Sequence, residues 1–218
     1  MVPLESILVN DEGWFRLAAL LFFLAFMPVG LFYRIRSHTG ERLDRWQEGA
    51  FGLFGLRLTA LAMLVVTLTW MIVPRWATWS QVPTPDWVRW TGLVVAAHGA
   101  GLWVWAVHNL GKNLTDTVVT RSDHKLVVTG PYRWVRHPFY TGMAVLVLGK
   151  SLLMANWFIL VAGGAGWLAF IVPRSKIEER NLVERFGDDY GAMTARTGRF
   201  LPRWQERSHT ALRPRGPS

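Results

Sequence analysis

Five apolar stretches of roughly membrane-spanning length constrain this chain more than any other feature of its sequence. A helix needs about 20 mainly apolar residues to cross the hydrocarbon core of a bilayer. The stretches occupy residues 14–33, 51–73, 87–107, 139–154 and 157–172. The last two are short and lie on either side of Ala155 and Asn156, which predicts a tight helical hairpin. The sequence therefore predicts an all-α fold, a polytopic membrane bundle of about five transmembrane helices.

The composition is that of a protein divided between membrane and water. Of the 218 residues, 51% are hydrophobic and 18% are charged, whereas soluble domains carry about 25% charged residues. Tryptophan and tyrosine concentrate near the ends of the apolar stretches, as in an interfacial aromatic belt. The absence of cysteine excludes disulfides, thiolate metal sites and cysteine nucleophiles. We expect no bound metal.

The net charge of +9 indicates contact with anionic membrane lipids rather than nucleic acid. The basic residues lie beside apolar stretches, and no nucleic-acid-binding motif is present. Lysine and arginine concentrate in residues 34–50, in residues 109–138 and after residue 172, whereas the N-terminus is acidic. The positive-inside rule then places the N-terminus outside and these basic segments in the cytoplasm.

The polar and apolar patterns divide the chain into three regions. Residues 1–108 hold the first three predicted transmembrane helices, residues 109–202 hold the hairpin and most of the polar motifs, and residues 203–218 lack periodicity. We expect the last region to be a disordered tail. Before it, helical spacing predicts a helix over residues 175–186 that ends at Gly187 and a second short helix to about Thr197.

Two polar motifs carry the residues suited to chemistry. Gly130-Pro131 predicts a turn, and Pro138 suits the first turn of the next helix. His137 then lies at a helix N-terminus, where free N–H groups favour an anionic ligand. Further along, Arg174 and Glu178 are four residues apart and share a helix face, so they could hold a zwitterion or pair with each other. We expect the neighbouring Glu179 to lie on a solvated face.

These motifs together resemble the isoprenylcysteine carboxyl methyltransferase family. The matching elements, in order, are Gly130-Pro131-Tyr132, Arg136-His137-Pro138, Tyr140, Arg174, Glu178-Glu179 and Phe186-Gly187-Asp188-Asp189-Tyr190. The resemblance covers roughly residues 110–202. It implies an integral membrane methyltransferase that binds S-adenosylmethionine in a cytosolic pocket closed by the C-terminal helices. It also implies a lipid-facing tunnel for the methyl acceptor. We expect a bacterial inner-membrane location, with the active site facing the cytoplasm.

The resemblance implies roles for individual residues. The implied cofactor-binding residues are His124, Lys125, Leu126, Val127, Tyr132, His137, Pro138, Phe139, Tyr140 and Glu178. Arg174 is implied to bind the substrate and to act in catalysis. Because the cofactor supplies the reactive methyl group, the protein needs to bind, align and exclude water. A carboxylate or thiolate acceptor needs no general base, and the sequence has no obvious device for one.

Several alternatives stay open at the level of sequence. The acceptor could be a prenylcysteine-like carboxylate, a small thiol or a lipid amine. A different enzyme class is an NADPH-dependent membrane reductase of the sterol-reductase type. Its matching turn typically reads Arg-His-x-Asn-Tyr, whereas Phe139 stands in the asparagine position here, which favours the methyltransferase. A transporter or assembly factor would need polar residues inside the first three apolar stretches, where, apart from Arg16 and Arg89 near their starts, the charged or ionisable candidates are Arg57 and His98.

Overall fold

Six helices make up most of the chain. The computed structural model describes residues 11–36, 49–111 and 125–203. Its helices are α1 Asp11–Arg36, α2 Gly49–Ile72, α3 Asp86–Leu110, α4 Pro138–Leu153, α5 Trp157–Gly166 and α6 Val172–Arg196. A π-helical turn, Trp167–Ile171, joins α5 to α6 without a break. Within the described ranges there are two isolated β-bridges and no strand, so the predicted all-α fold is confirmed.

Four helices are long and apolar enough to cross a membrane. They are Glu12–Arg36, Phe54–Ile72, Asp86–Leu110 and Trp157–Arg196. Helix α4 has 16 residues, so at about 1.5 Å per residue it extends about 24 Å, less than the ~30 Å of a hydrocarbon core. Large apolar side chains on α1 and α2, such as Leu21 and Leu58, are exposed, as expected of helices that face lipid. The bundle therefore has four full-length helices and one short apolar helix.

The predicted hairpin between the last two apolar stretches is confirmed. Ala155 adopts a positive φ of 49° in the turn after α4. The Asn156 side chain then caps α5 by accepting a hydrogen bond of 3.0 Å from the Ile159 backbone N–H. The same side chain donates to the buried Ser80 hydroxyl at 2.7 Å, which fixes the hairpin against the loop between α2 and α3.

The fifth apolar stretch and the predicted helix over residues 175–186 form one continuous helical run, because α5, the π-helical turn and α6 follow one another without a break. Pro173 lies in the first turn of α6 and has no N–H to donate. The π-helical turn directly before it is one of the local adjustments by which helices accommodate such a residue. The predicted break at Gly187 is confirmed: its φ of 48° and ψ of −119° kink α6, and helix resumes to Arg196.

Glycines bring the backbones of α3 and α4 into direct contact. A Cβ atom at Gly149 would lie 2.2 Å from the Ala96 backbone nitrogen, and one at Gly92 would lie 2.4 Å from the Leu153 nitrogen. Gly99 and Gly142 repeat this arrangement one heptad away along the same pair of helices. Small residues at a helix interface permit such close approach within membranes. The α3–α4 pair is therefore the rigid centre on which the polar end of the bundle is built.

The two ends of the bundle have different cores. At one end, Arg89 is buried and forms a two-bond ion pair with Glu12, at 2.6 and 3.1 Å, while its guanidinium lies over the Phe15 ring. Its Nε also donates to the Leu153 carbonyl, so this one side chain joins α1, α3 and α4. At the other end, Ala106, Tyr132, Tyr190 and Met193 form a buried cluster. The predicted polar motifs lie at this second end.

Candidate functional site

A tight turn delivers His137 to the start of α4. Gly130 opens the 3-10 turn Gly130–Arg133 with a positive φ of 58°. A Cβ atom there would lie 2.4 Å from the Asn109 Oδ1 atom, so both the conformation and the space require glycine. Pro138 occupies the first turn of α4, as predicted, and His137 directly before it is 4% exposed. The imidazole is thus held inside the protein rather than in lipid or water.

The chain after α6 returns to this turn and pairs with it. Val135 and Gly198 form a parallel bridge, and the His137 N–H donates to the Arg199 carbonyl at 3.0 Å. The Thr141 hydroxyl donates to the Phe200 carbonyl at 2.6 Å. We call residues 197–203 the C-terminal segment. Its main-chain hydrogen bonds fix the end of α6 against the start of α4.

Glu179 lies at the centre of a cluster of hydrogen-bond donors. Its carboxylate accepts hydrogen bonds from Arg136 Nε at 2.9 Å, from His137 Nε2 at 3.2 Å and from the Arg199 guanidinium. Because a carboxylate only accepts, the proton of that imidazole contact belongs to Nε2. The Glu179 side chain is 14% exposed. We call Glu179, Arg136, His137 and Arg199 the Glu179 cluster.

The expectation that Glu179 lies on a solvated helix face is therefore wrong. Arg136 also donates to the Thr197 carbonyl at 2.6 Å. Arg136 and Arg199 come from other parts of the chain, and a sequence pattern does not specify which face of α6 they contact. The hydrogen bond with Glu179 raises the pKa of Arg199 and outweighs the opposing effect of its partial burial. The Glu179 cluster joins three parts of the chain: the His137 turn, α6 and the C-terminal segment.

Glu178 forms a second, more open group with two predicted site residues. The Tyr140 hydroxyl donates to Glu178 Oε2 at 3.1 Å, and Arg174 Nε donates to the Tyr140 hydroxyl at 3.0 Å. His137 Nδ1 lies 3.8 Å from the same Glu178 oxygen, too far for a hydrogen bond, and its ring stacks on Tyr140. The Glu178 side chain is 34% exposed. Its carboxylate therefore retains room to accept from a ligand.

The remaining predicted residues line an apolar patch beside these carboxylates. Leu126, Val127 and Phe139 pack, partly buried, against the cluster that contains Tyr132. Burial, and secondarily the charge of Glu178, raises the pKa of the Tyr132 hydroxyl, so this group is neutral at physiological pH. Lys125 is exposed at the start of the same segment. His124 lies outside the described residues.

The residues of this region suit S-adenosylmethionine. A partly exposed carboxylate, Glu178, lies next to apolar and aromatic side chains that could cover a flat base. The buried Tyr190 hydroxyl has no hydrogen-bond partner among the described residues, which leaves a polar atom available within that apolar surround. Across the described ranges, no three His, Asp or Glu side chains are grouped as a metal site would need.

Sequence comparison places this region among known proteins. The sequence profile described as "Isoprenylcysteine carboxyl methyltransferase (ICMT) family" matches residues 90–184, which include the His137 turn and both glutamates. This part of the chain is similar to the isoprenylcysteine carboxyl methyltransferase family. Human protein-S-isoprenylcysteine O-methyltransferase is 30% identical over 126 residues, 57% of this chain and 44% of that protein. The Saccharomyces cerevisiae protein of the same name is 35% identical over 99 residues, which are 44% of this chain and 41% of the yeast protein.

The fold is also similar to that of a solved protein. A solved structure titled as the eukaryotic intramembrane Ras methyltransferase ICMT matches with a TM-score of 0.59 and 22% identity, over 93% of this chain and 68% of that one. The matched part of the chain spans less than half the length of each of these two relatives. The shared fold and the four long apolar helices among the described residues identify an integral membrane protein.

Proposed function

We propose that this protein transfers a methyl group from S-adenosylmethionine to an acceptor that partitions into the membrane. The observation that carries the proposal is the group formed by Tyr140, Arg174 and Glu178, which lies within the matched region 90–184. Relatives matched over that region are named protein-S-isoprenylcysteine O-methyltransferases. The same names favour a prenylcysteine-like carboxylate as the acceptor, with a small thiol or a lipid amine as the other candidates.

The proposed cofactor site follows the arrangement of the side chains. Leu126, Val127 and Phe139 would cover the adenosine, while His137 and Pro138 hold the turn beside it. We include Tyr132, Tyr140 and Lys125 in the proposed site; His124 lies outside the described residues. Glu178 would accept hydrogen bonds from ribose hydroxyls or from the amino group, since it is the more exposed of the two glutamates. The cofactor, when bound, supplies an activated methyl group.

Arg174 is proposed to bind the acceptor and thereby to act in catalysis. A guanidinium can orient a carboxylate with two parallel hydrogen bonds, and its contact with Tyr140 directs it toward the Glu178 group. A carboxylate oxygen is already anionic at neutral pH, so no residue has to remove a proton from a carboxylate acceptor. The contribution of the protein is alignment and the exclusion of water.

We propose that the acceptor reaches this site from the lipid. The site lies at the ends of α3 and α4, where apolar helices give way to the polar turn, so an acceptor with an apolar tail could stay in the bilayer while its head reacts. The basic residues of the polar segments favour a cytoplasmic position for the site, in a bacterial inner membrane.

The reductase alternative receives no support from the relatives or from the residues of the turn. Calorimetry separates the two classes directly. The purified protein should bind S-adenosylhomocysteine, the demethylated product, and should not bind NADPH. Binding of NADPH without binding of S-adenosylhomocysteine would refute the proposed methyltransferase and restore the reductase.

A further inference from the structure

One buried polar atom near the proposed cofactor site is unexplained by the protein itself. The Tyr190 side chain is 2% exposed, and its hydroxyl has no hydrogen-bond partner among the residues that the structure describes. A buried hydroxyl without a partner destabilises the folded state, and such groups are rare in proteins. Phenylalanine would fill the same space without this cost. The described residues thus leave this hydroxyl available to a ligand.

The surroundings of Tyr190 suggest what that partner is. Tyr190 packs with Tyr132, Ala106 and Met193, next to the predicted cofactor-binding residues Leu126, Val127 and Phe139. The carboxylates of Glu178 and Glu179 lie near enough to influence the hydroxyl electrostatically. The Tyr190 hydroxyl thus lies where the apolar patch meets the charged groups.

The kink at Gly187 directs Tyr190 into this position. No atom lies within 4 Å of a Cβ built on Gly187, so glycine is needed there for its positive φ rather than for space. After the kink, Tyr190 and Met193 are the buried residues of the last helical turns. They share one helix face, and this face closes over the apolar patch.

We propose that the Tyr190 hydroxyl forms a hydrogen bond with the nucleoside part of the bound cofactor. An uncharged hydroxyl within an aromatic and apolar surround suits a neutral polar atom of the base or ribose. The charged aminocarboxylate of the cofactor instead suits the more exposed group that contains Glu178 and Arg174. The inference rests on the proposed function. It assigns to Tyr190 a contribution to cofactor affinity, which can be measured without a methyl acceptor.

The test is the Tyr190→Phe variant of the full chain, with Tyr33→Phe as the matched control. The Tyr33 hydroxyl pairs with His108 Nδ1 at 3.2 Å in an exposed hydrogen bond. The probes are S-adenosylhomocysteine and methylthioadenosine, which keeps the nucleoside but lacks the aminocarboxylate. Binding is measured by calorimetry, and stability by thermal unfolding without ligand and with saturating ligand.

We expect Tyr190→Phe to weaken both probes by a similar factor of about five to ten, the scale of one neutral hydrogen bond. Without ligand, the unfolding midpoint of the variant should equal or exceed that of the wild type, because an unpaired buried hydroxyl has been removed. Tyr33→Phe should leave both affinities within twofold. A hydroxyl with a purely structural role would not produce this combination of weaker cofactor binding and an undiminished unfolding midpoint.

Three results would overturn the inference. Unchanged affinity in Tyr190→Phe would show that the hydroxyl does not contact the cofactor. A lowered midpoint without ligand would show that the hydroxyl has a partner within the protein. Weaker binding of S-adenosylhomocysteine with unchanged binding of methylthioadenosine would place the contact on the amino-acid part. If the wild type binds neither probe, the proposed function fails, and this inference fails with it.

Discussion

The Glu179→Gln substitution tests the role of the Glu179 cluster most sharply. The change preserves shape but removes the negative charge that faces Arg136, His137 and Arg199. Removing one partner of a buried ion pair costs about 3–5 kcal/mol. The Arg199 side chain is 33% exposed, so water screens part of its interaction. We therefore expect the free energy of unfolding to fall by about 2–4 kcal/mol.

The assay is thermal unfolding of the ligand-free protein in lipid nanodiscs. For a chain of this length, 1 kcal/mol shifts the midpoint by about 2–4 °C, so the expected fall is roughly 5–15 °C. Glu184→Gln is the matched control, because Glu184 is an exposed glutamate on the same helix, and its midpoint should stay within about 1 °C. If Glu179→Gln behaves like Glu184→Gln, the cluster does not hold the C-terminal segment in place, and the reasoning is refuted.

The remaining predictions concern the acceptor and the helix pair beneath the site. Arg174→Lys keeps the positive charge but loses the geometry for two parallel hydrogen bonds. Calorimetry should therefore find cofactor affinity within twofold of the wild type, while steady-state kinetics should find a higher acceptor KM or a lower kcat. Equal losses of cofactor affinity and of turnover would contradict the role assigned to Arg174. Shortening the acceptor tail should raise KM about fourfold for each methylene, from about 0.8 kcal/mol of burial, and a flat series would contradict entry from the lipid. Gly149→Val should lower the unfolding midpoint strongly, because its Cβ would meet the Ala96 backbone; Gly164→Ala, which has no neighbouring atom within 4 Å, should not, and equal effects would refute the close-packing argument.

Local motifs explain why part of the site could be predicted from the sequence. Pro138 fixes the start of α4, so the position of His137 follows from two adjacent residues. Arg174 and Glu178 share a helix face by spacing alone, and the structure links them through the Tyr140 hydroxyl. These relations depend on helix geometry within one element, or on a turn of a few residues.

The Glu179 cluster could not be predicted, because it depends on chain segments that meet only after folding. Glu178 and Glu179 point about 100° apart on the helix, and the sequence does not indicate which of them faces Arg136 and Arg199. The return of the C-terminal segment to the His137 turn is made by main-chain hydrogen bonds, for which Gly198 and Arg199 leave no pattern. Tyr190 belongs to a recognised motif, but its lack of a partner is visible only in three dimensions.

The extent of the membrane helices was predictable to within a few residues, and their packing was not. Hydropathy marks the ends of α1, α2 and α3, since each runs close to the predicted apolar stretch. The contact between α3 and α4 depends on four glycines, two on each helix, seven residues apart. That spacing is present in the sequence, but it indicates an interface only when the two helices are known to be neighbours.

Transfer of a labelled methyl group tests the central claim most directly. The purified protein in lipid vesicles would be given S-adenosylmethionine with a tritiated methyl group and an S-prenylated cysteine that has a free carboxylate. We predict that tritium enters the lipid-soluble acceptor as an ester, which base releases as methanol, and that the Arg174→Lys variant transfers it more slowly. Absence of transfer to this acceptor, to a small thiol and to phospholipid amines would contradict the proposed methyltransferase.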